Sequence, residues 1–152
     1  MASLHDATDR AALVARLRAL RADSPRKWGT LTVDQMFWHL TQGLLMTMGK
    51  LDLSKEKSPF PFPLPAFLAR FMVLEMPWPH GVPTMKITLP AQQAKYDLEA
   101  ERARTLATIE EFVARPLNEA WPHHPVLGDM TGEQYSRLQA KHINHHLVQF
   151  SA

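Results

Sequence analysis

Prolines divide this chain more sharply than any other residue type, and they limit which segments can be helical. Seven of the twelve prolines fall between residues 58 and 83. Because proline lacks a backbone N–H and clashes with the preceding helical turn, this segment cannot form one continuous helix. The segment is also strongly apolar, so other parts of the chain must cover it. We expect an extended arm, a short helix from about Pro65 to Leu74, and a return loop that serves as a packed crossover, a pocket lid or a dimer surface.

Amphipathic patterns on both sides of this segment predict four longer helices. The first covers residues 9–21, and the second begins at Thr32. The third is expected from Pro90 to about Ala114, because proline suits the first turn of a helix. The fourth covers residues 131–150. No alternating segment indicates a sheet, so the sequence predicts an all-α fold.

Two of these helix starts carry the same sequence signature. Thr32 is followed three residues later by Gln35, and Thr131 is followed by Gln134. In such a capping box the threonine oxygen accepts an early backbone N–H, and the glutamine side chain accepts the N–H of the threonine. The second and fourth helices therefore have well-defined beginnings.

The fourth helix carries three histidines, and the helical pattern separates them. At about 100° of turn per residue, His142 and His146 lie roughly 40° apart and one turn from each other. The polar side chains of this helix occupy the opposite side; they are Glu133, Arg137, Lys141 and Asn144. His142 and His146 are therefore expected on the apolar stripe, and His145 is expected near the solvated flank.

Two imidazoles on one apolar stripe need a common explanation, since a buried unpartnered polar group costs about 1–3 kcal/mol. A metal ion is one explanation, and a hydrogen-bonded polar core is another. The chain has no cysteine, so the ligands of a metal would be histidine, carboxylate or water. His39, in the middle of the second helix, is the candidate third ligand, because nearby Gly43 is expected to leave space for an ion. The alternative for His39 is a core histidine bonded to a neighbour.

Three segments resemble the DinB-like (DinB/YfiT-like) superfamily of metalloenzymes, in its branch of uncharacterised bacterial domains. They are Trp-Gly-Thr-Leu-Thr-Val-Asp-Gln-Met-Phe-Trp-His at 28–39, His-Pro-Val-Leu-Gly-Asp-Met-Thr-Gly-Glu-Gln at 124–134, and Lys-His-Ile-Asn-His-His-Leu-Val-Gln-Phe at 141–150. The resemblance covers most of the chain from residue 16 onward. The second and third segments are the specific ones, and the proline-rich middle matches only in character.

The resemblance implies an up-down-down-up four-helix bundle with a proline-rich crossover between its second and third helices. It implies a divalent metal, zinc or nickel, held by His39, His142 and His146, with His145 as the adjacent histidine that is not a ligand. Relatives in the superfamily are often dimeric, so a homodimer is expected. Some relatives are transferases or isomerases that use low-molecular-weight thiols, so a small molecule or such a thiol is the expected substrate.

A three-histidine metal site with open positions supports hydrolysis, isomerisation or thiol transfer. The residues do not identify the catalytic base, and His124 and His145 are its candidates, followed by His123 and Glu75. Gln149 lies one turn beyond His146 and is a candidate to orient that imidazole. Trp78 and Trp121 are the tryptophans expected to form apolar pocket walls.

Composition limits the class of protein. At 152 residues, with 45% hydrophobic and 21% charged residues, the chain fits a single ordered domain over residues 1–152. Its net charge is +2 with basic and acidic residues interleaved, which argues against nucleic-acid binding. No uncharged apolar stretch reaches the roughly 18 residues of a membrane span, and the acidic N-terminal segment does not resemble a secretory signal. A cytoplasmic location is the expectation.

Three hypotheses about function stay open at this point. The chain is a metal-dependent transferase, isomerase or hydrolase, or it is a non-catalytic module that binds a metal or small ligand. In the third hypothesis it is a dimeric scaffold whose histidines hydrogen-bond to one another in the core.

Overall fold

A computed structural model describes residues 1–60 and 62–152, and over these ranges the chain is all-helical with no strand. The expected all-α class is therefore confirmed. Pro61, one of the prolines of the 58–83 segment, lies outside the described residues. The α-helices are α1 (Ala7–Ala19), α2 (Val33–Thr47), α3 (Ala66–Glu75), α4 (Leu98–Ala114) and α5 (Gly132–Gln149), and a short 3-10 helix covers Lys86–Thr88.

Both expected capping boxes are present, and they fix the starts of α2 and α5. The backbone N–H of Thr32 donates to Oε1 of Gln35 at 3.1 Å. The N–H of Thr131 donates to Oε1 of Gln134 at 3.0 Å, and the N–H of Gln134 donates to Oγ1 of Thr131 at 3.2 Å. The two helices that carry the candidate ligands thus begin where local sequence specifies.

The expected start of α4 at Pro90 is wrong, because this helix begins at Leu98. Asp97 caps it, since Oδ1 of Asp97 accepts the N–H of Ala100 at 2.8 Å. The residue before this cap is bonded to α2 and not to α4: the N–H of Tyr96 donates to a carboxylate oxygen of Asp34 at 2.9 Å. An aspartate cap satisfies helical N–H groups, which a proline start does not do. The first helix is also shifted, with its cap at Asp6 and its range two residues earlier than expected.

The helices pack around one core. α2 lies against α4 and α5, α1 lies against both α4 and α5, and α3 lies against α5. The inward residues of α4 are Thr105, Thr108, Ile109 and Phe112. The largest side chains that are fully buried include Tyr135, Phe37, Phe112, Leu17, Met36, Leu40, Ile109, Ile143 and Leu147. Because α2 and α5 are in contact, the histidines that they carry face a common region of the core.

The proline-rich segment contains the short helix expected after Pro65, which the structure places at Ala66–Glu75. Its C-terminal end is held to α5 by Lys141, whose Nζ donates to the carbonyls of Val73 at 2.7 Å and Met76 at 2.6 Å. The chain beyond α3 returns across the bundle and forms one wall of a cavity. Among the described residues, no helix is both long and apolar enough to cross a membrane.

Candidate metal centre

Three imidazoles from two helices meet at one end of the cavity. His39 comes from α2, and His142 and His146 come from α5. Each offers one ring nitrogen such that the three atoms lie within 4.8 Å of one another. The ring centroids are 4.8 Å (His39 to His142), 4.9 Å (His39 to His146) and 5.0 Å (His142 to His146) apart. The structure therefore brings together the three histidines selected from sequence, in an arrangement that could hold a metal ion.

Hydrogen bonds fix the orientation of two of these rings. Nδ1 of His39 lies 2.6 Å from the carbonyl oxygen of Thr88, and Nδ1 of His146 lies 2.7 Å from Oε1 of Gln149. The amide of Gln149 is oriented in turn, because its Nε2 donates to the carbonyl of Trp28 at 2.9 Å. With oxygen acceptors at Nδ1, both imidazoles carry their proton there, and Nε2 is the nitrogen that carries the lone pair. Metal-ligating histidines are usually supported in this way.

His39 and His142 are also in direct contact, with their Nε2 atoms 2.9 Å apart. Because Nε2 of His39 is an acceptor, this contact is a hydrogen bond donated by Nε2 of His142. Such a bond is the contact that the scaffold hypothesis requires. It is also compatible with a metal site, since transfer of the His142 proton from Nε2 to Nδ1 would leave Nε2 as a neutral ligating nitrogen.

Burial keeps the three imidazoles neutral. It lowers the pKa of His39, lowers the pKa of His142 well below its ordinary value, and lowers the pKa of His146 to about 3. For His142 and His146 the neighbouring imidazole of His39 lowers the pKa further. Neutral imidazole is the form that binds metal, so the ligating form is available at neutral pH.

The space expected beside Gly43 is occupied in part by an imidazole ring, although Gly43 also lines the cavity. A Cβ built on Gly43 would lie 3.1 Å from Cε1 and 3.2 Å from Nδ1 of His142. The space beside the glycine is therefore filled in part by the ring of His142. Gly43 allows this ring to pack against the backbone of α2, and so it helps to bring His142 to His39.

The three histidines open into a cavity of about 310 Å³. This volume lies at the lower end of the roughly 300–1,000 Å³ typical of small-molecule sites. Its walls are mainly apolar and aromatic, with Trp28 and Trp78 near the histidines. Gln139 also lines the cavity; its Nε2 donates to the carbonyl of Gly43 at 3.2 Å, and its buried Oε1 has no hydrogen-bond partner within the described residues.

His145 and His124, the candidate bases, both line the cavity, but their surroundings differ. His145 is half-buried, with its ring centroid 5.4 Å from that of His146, and burial followed by the nearby His80 lowers its pKa. Nδ1 of His124 accepts the backbone N–H groups of Val126 at 3.1 Å and Leu127 at 3.0 Å. Burial lowers the pKa of His124 to about 4. His124 therefore holds its loop together, and His145 is better placed to exchange a proton.

The other candidate bases lie away from the cavity. His123 is exposed and lies 2.7 Å from a carboxylate oxygen of Asp129, and Glu75 pairs with Arg137 at 2.7 Å. Neither residue lines the cavity. Both side chains act at the protein surface.

The expected aromatic walls are partly wrong. Trp78 lines the cavity, whereas Trp121 packs against Phe112 and Tyr135, with ring centroids 5.1 Å and 5.7 Å away. Trp28, which sequence analysis did not select, lines the cavity instead. Trp28 lies in the loop before the capping box of α2, and a loop residue has no periodic pattern from which its burial in a cavity wall could be predicted.

Comparison with protein families gives one match that spans nearly the whole chain. The family model described as "Protein of unknown function (DUF1569)" matches residues 2–152. The chain therefore belongs to this family. No curated protein and no solved structure matches it.

Proposed function

We propose that this chain is a metal-dependent enzyme that holds a divalent transition metal ion, zinc or nickel, with His39, His142 and His146. The observation that carries the proposal is the support of two of these imidazoles: Thr88 and Gln149 each provide an oxygen to Nδ1, so that Nε2 carries the lone pair on both rings. Three neutral imidazole nitrogens suit zinc, nickel and other late transition metals. The donor set of the site therefore fits the metal that the sequence resemblance implies.

The adjoining cavity supports a catalytic role over mere storage. A metal with three protein ligands keeps open positions, at which it lowers the pKa of a bound water toward neutrality or binds a thiolate directly. His145 lies on the cavity wall next to His146 and is the side chain that we assign to proton transfer. The reaction class is hydrolysis, isomerisation or thiol transfer on a small molecule.

We further infer that α1, α2, α4 and α5 form the up-down-down-up bundle of the DinB-like superfamily. The packing of α1 and of α2 against both α4 and α5 supports this arrangement, as does the origin of the ligands on facing helices. The homodimer and the cytoplasmic location stay predictions.

A second candidate function has one observation in its favour. The 2.9 Å contact between Nε2 of His39 and Nε2 of His142 satisfies both nitrogens without an ion. In that case the chain is a helical scaffold, and the histidines contribute only to its polar core.

Metal content separates these candidates. The untagged protein, stripped with a chelator and reloaded, is compared with its His142→Ala and His146→Ala variants and with His145→Ala as the matched control. We expect near-stoichiometric zinc or nickel in the parent and in His145→Ala, and a loss of metal in the other two variants. A parent that never retains metal, or a His142→Ala variant that binds it equally well, contradicts the proposal and favours the scaffold.

A further inference from the structure

We propose that the cavity beside the three histidines takes a mostly apolar molecule of low charge, which reaches the metal through a single donor atom. The inference rests on the proposed metal site and concerns the class of its substrate. It excludes molecules that carry several charged groups, including thiols of that kind, but it does not exclude apolar thiols.

The wall of the cavity carries no charged side chain among the described residues: no aspartate, glutamate, lysine or arginine lines it. The ammonium group of Lys141 lies 5.5 Å from the ring centroid of Trp78, and it is engaged by the carbonyls of Val73, Leu74 and Met76. A ligand with a second charged group would bury that charge without a counter-ion, which is strongly unfavourable. The metal would therefore be the only charge available for recognition.

Most polar side chains of the cavity wall already form hydrogen bonds within the protein. Gln149 uses its oxygen for His146 and its nitrogen for the carbonyl of Trp28. Oγ1 of Thr88 donates to the carbonyl of Met85 at 2.8 Å, and Nδ1 of His124 accepts two backbone N–H groups. Few groups are left to replace the water that a polar ligand would lose on entry.

Two tryptophans form the part of the cavity wall beside the histidines. Trp78 lies between His142 and His145, with ring centroids 5.9 Å and 5.5 Å away. Trp28 stacks on His80 at 3.9 Å with an interplanar angle of 7°. Flat apolar walls of this kind bind apolar or aromatic bodies through burial and ring contacts. The wall next to the metal site therefore matches the ligand class that the absence of charge predicts.

The test uses the protein loaded with cobalt(II), whose absorption spectrum reports on coordination. Phenylmethanethiol and 2-mercaptoethanesulfonate both bind metals through a thiolate, but only the second carries an additional negative charge. Glutathione serves as a thiol with several charges. The growth of the thiolate-to-metal charge-transfer band during titration gives a Kd for each thiol.

We expect phenylmethanethiol to bind at least about tenfold more tightly than either charged thiol, because their additional charges enter an uncharged cavity. Equal or tighter binding of 2-mercaptoethanesulfonate or glutathione overturns the proposed ligand class and leaves the metal site standing. A protein that shows no cobalt spectrum overturns the proposed function, and this inference falls with it.

Two tryptophan variants test whether the preference for the apolar thiol depends on the cavity wall. Trp78→Leu removes an aromatic wall next to His142, and Trp38→Leu removes a tryptophan that stacks on Tyr96 and does not line the cavity. Both tryptophans are half-buried, so the two substitutions are matched in size and exposure. We expect Trp78→Leu to weaken phenylmethanethiol binding several-fold at an unchanged cobalt spectrum, and Trp38→Leu to leave it unchanged. Equal effects of the two substitutions contradict the inference.

Discussion

The ring of His142 packs directly against Gly43, whose lack of a side chain makes room for it. A Cβ at that position would lie only 3.1 Å from the imidazole. Gly43 and His39 lie four residues apart on α2, so they share one face of that helix. The glycine therefore fixes how closely His142 can approach His39, whose Nε2 lies 2.9 Å from that of His142.

The first prediction is that Gly43→Ala separates metal affinity from stability. The new methyl group forces the ring of His142 to shift by a few tenths of an ångström, and we expect metal affinity to fall by roughly tenfold, as when the support of a ligand is lost. Alanine is the better helix former by about 0.5–1 kcal/mol, so the metal-free protein should be no less stable than the parent. Competition with a chelator measures the first effect and urea unfolding of the metal-free protein measures the second. Unchanged metal affinity would show that this contact does not position His142.

Helical spacing alone could separate His142 and His146 from His145, whereas His39 was a candidate third ligand with a core histidine as the alternative, and the resemblance completed the set. On α5 the first two share the apolar stripe, and the structure places His142 and His146 beside His39. The contact at Gly43 could not be foreseen, since a missing side chain looks the same in sequence whether it leaves space or admits a neighbour. The distance between α2 and α5 decides whether the space beside the glycine stays empty or is filled by a side chain of the other helix.

The limits of the fold prediction have a similar cause. The starts of α2 and α5 were predictable because a capping box is a local interaction between Thr32 and Gln35, or between Thr131 and Gln134. The start of α4 was not, because the residues before Asp97 are held by a long-range bond from Tyr96 to Asp34. Tertiary contacts of this kind override local helix signals.

The second prediction concerns Gln149, which connects His146 to the backbone of Trp28. Gln149→Leu removes the acceptor at Nδ1 of His146 and leaves the Trp28 carbonyl without its donor. We expect metal affinity to fall by about 10–100-fold, the usual effect of losing such a supporting bond, and stability to fall by about 1–3 kcal/mol. Isothermal titration with zinc measures the affinity.

Gln134→Leu is the matched control for this prediction. It lies on the same helix and removes the capping-box acceptor of the Thr131 N–H. We expect it to lower stability by about 1 kcal/mol while metal affinity stays constant. Loss of affinity in both variants to the same extent would mean that general destabilisation of α5, and not the orientation of His146, weakens the site.

The third prediction concerns the attachment of α3 to α5 by Lys141. Its ammonium group donates to the carbonyls of Val73, Leu74 and Met76, and it lies 5.5 Å from the ring centroid of Trp78. In Lys141→Met these carbonyls lose their donor, so we expect stability to fall by roughly 1–3 kcal/mol. Amide hydrogen exchange across α3 should accelerate more than exchange in α2.

Lys50→Met provides the comparison for this substitution. Lys50 pairs with Glu111 at the surface, and both side chains are about half exposed. Exposed ion pairs of this kind contribute about 0–1 kcal/mol. If Lys141→Met costs no more than Lys50→Met and leaves α3 exchange unchanged, the carbonyl contacts of Lys141 do not hold this helix in place.

The fourth prediction is a pH dependence of stability caused by His124. Its pKa falls from 6.5 to about 4 in the folded protein because burial disfavours the charged ring. Between these values the unfolded chain binds the proton more readily, so stability is fully present above pH 6.5 and is lost as pH falls toward 4. The loss attributable to His124 reaches at most about 3 kcal/mol. Chemical unfolding of the metal-free protein across this pH range measures it.

His124→Asn isolates the contribution of His124, because the buried ligand histidines also have lowered pKa values and cause part of the same loss. Asparagine can accept the N–H groups of Val126 and Leu127 in the manner of a turn residue, but it does not titrate. We expect the variant to be less stable than the parent near neutral pH, and this difference to shrink or reverse as pH falls toward 4. Curves that fall in parallel at every pH would show that His124 does not become protonated on unfolding in this range, and that the acid sensitivity comes from the three clustered histidines alone.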